Sequence, residues 1–328
     1  MDKGKKILVS GVKPTARQHI GNYFGALRQF MELSEQYESY IFIADYHALN
    51  FVQNAKELEQ NVVDIALDYL AVGLDPKKVT LFKQSDVPEV TELCWIFDTI
   101  TTMPYLARAH AYKDASTKGK EASVGTFNYP MLMAADILIQ DADVVPVGQD
   151  QKQHVEYARD TAEKFNRIFS AKGGSAFGGG EIFKLPEPMI LTEVAVVPGI
   201  DGRKMSKSYG NTIELFASDE EIKNKVMSIV TDSGEGIPKN VYALHKLVRS
   251  ESELKSLYEN KKGKYQELKE ALADDLMNFI RPLREKREKL AQNKEAVLEI
   301  LKSGGARARS RTASKMSAVR HAVGVELY

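Results

Sequence analysis

The sequence predicts an α/β fold: a Rossmann-like parallel sheet followed by an appended all-helical C-terminal region. Three observations predict it. Short apolar runs recur in the first half, each followed by a stretch of helical period. That alternation builds parallel βαβ units with helices on both faces. From Asp219 to Val323 the apolar runs stop and the period is helical almost throughout, broken around Asp232–Pro238 and Gly304-Gly305. The expected units are residues 1–212 for the α/β part, 213–303 for the helical part, and a helix over 304–328 able to pack back on the first. A chain of 328 residues, 43% of them hydrophobic, is long enough for two cores.

Ile7-Leu8-Val9, ending at Ser10-Gly11, reads as a buried first strand, and the chain from Gly21 as its helix. Tyr40 to Ala44 is a second strand, Lys56 to Val72 an amphipathic helix ended by Gly73 and Pro76, and Val79 to Phe82 a third strand. Helical patterns follow over Glu89–Ile100 and Tyr105–Ala111, then a polar loop over Lys113–Gly125. Asn128 to Ile139 is another helix, with Pro130 in its first turn. Val144 to Val147 is a fourth strand, and a helix opens at Gly148-Gln149-Asp150-Gln151 and runs to about Phe169. The glycines at 173–180 are followed by no Gly-Lys-Ser/Thr and open no helix, so they read as a loop excursion.

Composition narrows the class. Forty-five basic residues balance forty-five acidic ones, so a polyanionic partner has to be met by a local patch. Cys94 is the single cysteine, which excludes an internal disulfide or a cysteine-rich zinc site and fits a reducing compartment. No uncharged run approaches the roughly 20 residues of a membrane span. A soluble, cytoplasmic protein is expected. The basic runs at Lys261–Lys264, Arg281–Lys289 and Arg307–Lys315 read as solvated helix faces.

Two stretches carry chemistry. Lys13-Pro14-Thr15-Ala16-Arg17-Gln18-His19-Ile20-Gly21-Asn22 lies between the first strand and its helix. Loops at that edge of a parallel sheet bind ligands, and a helix N-terminus favours anions. His19 and Asn22 can donate to phosphate oxygens, and Gly21 lets a purine ring lie on the backbone. The second stretch, Gly202-Arg203-Lys204-Met205-Ser206-Lys207-Ser208-Tyr209-Gly210-Asn211, sets three cations and two hydroxyls between glycines. Alone it is either a solvated turn or a mobile grip on a polyphosphate.

Together, His19-Ile20-Gly21-Asn22 after an apolar strand and Lys204-Met205-Ser206-Lys207-Ser208 late in the α/β unit resemble the paired signatures of class I aminoacyl-tRNA synthetases. The blocks at Gly21–Leu27, Tyr129–Leu138 and Val145–His154 are similar to those of the bacterial tryptophan-specific branch, and the likeness spans essentially the whole chain. The resemblance implies a catalytic domain with ATP and amino-acid sites and a helical region that reads tRNA. It implies ATP as substrate, Mg²⁺, L-tryptophan and tRNA(Trp) as partners, and a homodimer, without membrane or DNA.

Residue by residue, it implies catalytic roles for Lys204, Ser206, Lys207, His19 and Asn22. ATP would be held by Lys13, Pro14, Thr15, Gly21, Asn22, Gly148, Gln149, Asp150, Lys204, Met205, Ser206, Lys207 and Ser208. Tryptophan would be held by Asp136, Met133, Tyr129, Gln151, His47 and Val9. Arg108 and Lys113 sit where the family places basic residues, and His154 resembles a packing residue. Met133 and Asp136 share a helix face, and a carboxylate beside a thioether suits an indole with its one N–H donor. The tyrosine enzymes resemble one another in carrying glutamine at the position of Met133 and tyrosine at that of Val9. Lys13 and Gln149 depart from the family's usual glutamine and glutamate.

Overall fold

Residues 4–14, 17–109, 123–148, 152–170, 180–190, 197–231 and 236–326 are described by a computed structural model. Its strands are β1 (Ile7–Val12), β2 (Glu38–Ile43), β3 (Val79–Lys83), β4 (Val144–Val147) and β5 (Glu187–Ile190). They form one five-stranded sheet in the order β3-β2-β1-β4-β5, with every pairing parallel. The sequence pattern announces the first four and misses β5. Its apolar run, Met189-Ile190-Leu191, directly follows Pro186 and Pro188, and prolines argue against a strand except at an edge, where Pro188 is tolerated.

One break in the ladder positions the site. β1 and β2 pair over their full length, whereas β1 and β4 pair at Leu8 and Val144 alone. Pro146 has no N–H to donate, and beyond Leu8 the two strands diverge. In an open α/β sheet this gap between neighbouring strands is where a ligand crevice forms.

Helices follow in chain order. α1 (Ile20–Asn22) leads through a π-helical turn, Tyr23–Leu27, into α2 (Arg28–Ser34). α3 (Asp45–Ala48) precedes α4 (Ala55–Val72), which is capped by Asn54 and ended by Gly73 at φ 117°. α5 (Glu89–Ile100) matches expectation, but α6 (Met103–Leu106) is one turn, shorter than the helix expected over Tyr105–Ala111. α7 (Val124–Ile139) starts earlier than expected: the Ser123 hydroxyl accepts from the Thr126 N–H, so Pro130 sits in the helix interior, not its first turn. α8 spans Lys152–Phe165, and residues 149–151 and the glycine-rich stretch apart from Gly180 lie outside the described residues.

The C-terminal half contains α9 (Asp219–Met227), α10 (Lys239–His245), α11 (Glu251–Asn260), α12 (Tyr265–Ala291) and α13 (Lys294–Val323). α13 overturns the expected break at Gly304-Gly305. The helix begins at Lys294 and runs straight through both glycines, which are buried. A Cβ on Gly304 would overlap the Leu81 carbonyl, and one on Gly305 would lie 2.5 Å from Asp86 Cβ. These glycines let a helix press on the outer strand β3, covering a sheet edge that would otherwise offer free backbone groups. Val297 and Leu301 then join the core on the α4 face, while Ala308, Met316 and Val319 join the core on the α5–α7–α8 face.

Basic runs read as solvated faces turn out to be largely paired. Arg309 meets Glu89, Arg311 meets Glu38, Lys315 meets Asp141 and Arg320 meets Glu92. Arg281 and Arg284 both hold Asp219, and Arg287 holds Asp64 and Asp68. Their partners are distant in sequence, which is why sequence periodicity gives no sign of them.

Candidate functional site

At the carboxyl ends of β1 and β4 lies a cleft of about 850 Å³. Its floor is apolar, with Val9, Phe42, Ala44, Met133, Ile137 and Val145 among the lining residues. Its rim is polar and comes from both signature stretches: Lys13, Gln18, His19 and Asn22 on one side, Lys204, Ser206 and Tyr209 on the other. An apolar pocket with a few convergent polar groups is the form of a small-molecule site.

The first signature is a helix cap. His19 is extended (φ −117°, ψ 164°), its Nδ1 accepts from the Asn22 N–H at 3.3 Å, and the Asn22 side-chain oxygen accepts from the His19 N–H at 3.2 Å. With Nδ1 accepting, the ring proton sits on Nε2. Burial, helped by the charge of Lys207, pushes the His19 pKa down to about 4, so the ring is neutral at pH 7. Gly21 serves a purpose besides a flat surface for a ring. A Cβ there would lie 2.9 Å from His19 Nδ1 and 3.2 Å from Met205 Cβ, so the missing side chain lets the two signatures touch.

The second signature is organised around Asn211, which is buried. Its amide donates to Asp201 at 2.7 Å and to the Lys204 carbonyl at 3.2 Å, and its oxygen accepts from the Ser206 N–H at 2.8 Å. Met205 donates its N–H to Val197, and its side chain is buried. Gly202 (φ 80°) and Gly210 (φ 64°) take left-handed turns at the two ends. Lys204 remains exposed, and Lys207 donates to the Arg17 carbonyl of the first loop. Main-chain bonds then tie the loops together: Ile20 N–H to the Ile213 carbonyl and Leu215 N–H to the Gln18 carbonyl, both 3.0 Å.

Lys13 reaches into the cleft with its ammonium over the rings of Phe51 (5.6 Å) and Tyr129 (5.9 Å). Burial pushes its pKa down. The Tyr129 hydroxyl bonds His154, and burial raises that phenol to about 12. Beneath, the buried Asp136 carboxylate accepts from Gln84 Nε2 at 2.9 and 2.8 Å and meets His47 Nε2 at 3.1 Å. Burial raises its pKa, and the His47 and Gln84 bonds offset only part of that.

The cleft thus brings together Val9, Lys13, His19, Gly21, Asn22, His47, Tyr129, Met133, Gly148, Lys204, Met205 and Ser206. Pro14, Asp136, Lys207 and Ser208 stand outside the lining, as does the exposed Arg108. Thr15, Lys113, Gln149, Asp150 and Gln151 lie outside the described residues. Sequence reasoning missed Gln84, Phe51, Tyr209 and Gln18. Gln84 had a readable signal, since it directly follows a strand at the ligand-binding edge, and Gln18 and Tyr209 had one in lying within the two signature stretches; Phe51 had none, because its neighbour Lys13 is distant in sequence.

Over residues 1–299 the chain matches the family described as tRNA synthetases class I (W and Y). The tryptophan–tRNA ligase of Fusobacterium nucleatum is 46% identical over 325 residues, covering 97% of each chain. That of Rhodopirellula baltica is 43% identical over 327 residues, covering 97% of this chain and 99% of its own. The crystal structure of tryptophanyl-tRNA synthetase from Campylobacter jejuni, complexed with ADP and tryptophan, matches with a TM-score of 0.89 at 42% identity, covering 97% of this chain and 99% of that one. The chain belongs to the class I tRNA synthetases of the tryptophan and tyrosine group.

Proposed function

We propose that this enzyme is the tryptophan–tRNA ligase of its cell. The observation that carries this is the meeting of the two signatures, Gly21 against Met205 and Lys207 on the Arg17 carbonyl, on the rim of a cleft floored by Val9 and Met133. Relatives named for tryptophan over nearly the full length support the choice of amino acid.

In the first step a tryptophan carboxylate oxygen attacks the α-phosphorus of ATP. The bond from that phosphorus to the bridging oxygen breaks, and pyrophosphate leaves with its electron pair. The nucleophile is already ionised at neutral pH, so the protein supplies position and charge, not a base. Lys204 and Ser206 face the departing pyrophosphate, and Lys207 joins them on exchanging the Arg17 carbonyl for a phosphate oxygen. His19, neutral with a proton on Nε2, and Asn22 act from the other side with Thr15, Lys13 and the Pro14 loop. Gly148, Gln149 and Asp150 are assigned to the ribose, and Tyr129 and Gln151 to the substrate ammonium.

The indole N–H is assigned to Asp136. A carboxylate has about four lone-pair sites, so it can accept from the indole while keeping Gln84. In the second step a ribose hydroxyl at the tRNA 3′ end attacks the acyl carbon and AMP leaves. Mg²⁺ would arrive on the ATP phosphates, where it neutralises charge: it keeps most of its waters and binds through substrate phosphates, and among the described residues no three His, Cys, Asp or Glu gather to cage a metal. Exposed Trp95, Met103 and Val124, on α5, α6 and α7, support a homodimer.

ATP–pyrophosphate exchange tests the reading. Exchange is expected with tryptophan and absent with tyrosine or with no amino acid. Exchange driven by tyrosine alone, or by neither, overturns it.

A further inference from the structure

One basic run has no place in the chemistry above. Arg281, Arg284 and Arg287 recur every three residues along α12, so they form a row on one face of it. A row of arginines on a tRNA-binding enzyme suggests phosphate contacts. The structure gives these three other work.

Arg284 donates to the Ala217 carbonyl at 2.6 Å and to Asp219 at 2.9 Å. Arg281 donates to the second oxygen of Asp219 at 2.7 Å. Arg287 bridges Asp68 and Asp64 of α4, both at 2.6 Å. The row therefore grips the chain at residues 217–219 and α4 together. Immediately upstream, residues 213–215 are the stretch bonded to Gln18 and Ile20 of the first signature.

Two further facts point the same way. Ile20, Met205, Ile213 and Leu215, the apolar anchors of both signatures, belong to the core shared with α9–α12, not to either core of the sheet. Asp68 is 1% exposed, and its Oδ2 has no hydrogen-bond partner. Burial pushes its pKa up to about 6, with Arg287 and a smaller contribution from the Gln18 main-chain N–H pulling the other way.

We propose that Arg284 and Arg287 are positioning residues for amino-acid activation, fixing through Ala217, Asp219 and Asp68 the segment that sets the gap between His19 and Lys204. The proposal rests on the activation reaction given above. It makes α12 a lever: a displacement of the helical region moves both signatures relative to the sheet, where the amino acid sits. Loss of the grip then slows the chemical step and leaves the amino-acid pocket, built on β1 and α7, as it was.

The test compares Arg287→Met, Asp68→Asn and the double variant. Arg287→Met alone leaves Asp68 buried without its cation, which drives its pKa further up, and is expected to lower stability. The double variant removes the charge with its partner and is expected to recover the wild-type unfolding midpoint. A merely structural role returns kcat for tryptophan-dependent exchange along with stability. A positioning role leaves kcat at least tenfold low in the folded double variant, with tryptophan Kd within twofold of wild type. Recovery of kcat to within tenfold, or loss of tryptophan affinity in proportion to kcat, overturns the proposal. Arg284→Gln, whose partners are a main-chain carbonyl and a half-exposed carboxylate, gives the same reading should the double variant not fold. Absence of exchange in the wild-type enzyme would instead strike the assigned reaction.

Discussion

Two regions of this molecule are rich in cations, and they use them in opposite ways. Along α13 the basic side chains close on carboxylates of the sheet unit: Arg309 on Glu89, Arg311 on Glu38, Lys315 on Asp141, Arg320 on Glu92. Around the cleft, Lys13 and Lys204 pair with no carboxylate among the described residues, and Lys207 bonds a carbonyl. The first region fastens a helix across the sheet edge. The second leaves positive charge facing a cavity, where a polyphosphate can take it. Sequence composition does not separate the two, since both are lysine- and arginine-rich. What separates them is whether an acid from elsewhere in the chain arrives opposite each base.

The largest expected effect comes from unfastening α13. Gly304→Ala drives a methyl into the Leu81 carbonyl, and backbone cannot step aside as a flexible side chain can. Overpacking of this kind costs about 3 kcal/mol. The check is urea unfolding beside exchange activity per folded molecule: stability should drop, and activity should change far less. A variant as stable as wild type would mean that α13 is not seated on β3 as described.

Next comes the contrast itself. Lys204→Ala should lower kcat for adenylate formation by about 100-fold, the usual loss when one preorganised charge is removed from a developing anion. Arg309→Ala removes a half-exposed ion pair and should change stability by less than about 1 kcal/mol, with kcat unaffected. Steady-state exchange kinetics on both variants measure the difference. Comparable kcat losses would erase the distinction drawn between paired and unpaired cations.

How much of this was legible beforehand follows the same division. β1 to β4 showed because buried parallel strands leave continuous apolar runs, and both signatures showed because their residues are contiguous. Hidden were the features made by residues far apart in the chain. β5 carries a proline and needs β4 beside it to read as a strand, Gly304 and Gly305 resemble a helix stop until Leu81 is seen against them, and the arginine row needs Asp68 and Asp219 to show its purpose. Gln84 is intermediate, in a readable position but with a partner, Asp136, supplied by another helix.

The smallest effect tests the cleft's electrostatics through His19. Its pKa in the folded chain is about 4, against 6.5 for an unperturbed imidazole. A depressed histidine means that the folded state binds fewer protons than the unfolded chain between those values. Its contribution to stability is therefore complete above pH 6.5 and is lost as pH falls toward 4. Between pH 7 and pH 5.5 the loss should be about 1 kcal/mol. His19→Asn keeps a side-chain oxygen able to cap the Asn22 N–H but does not titrate, so its acid limb should be flatter by that amount. Lys207→Ala, removing the second cause of the depression, should move the His19 titration upward when followed by NMR. If His19→Asn keeps the wild-type acid limb, His19 is not the group that titrates there; if Lys207→Ala leaves the His19 titration unmoved, Lys207 exerts no field on the first signature. The two stretches would then share a cleft without sharing its charge.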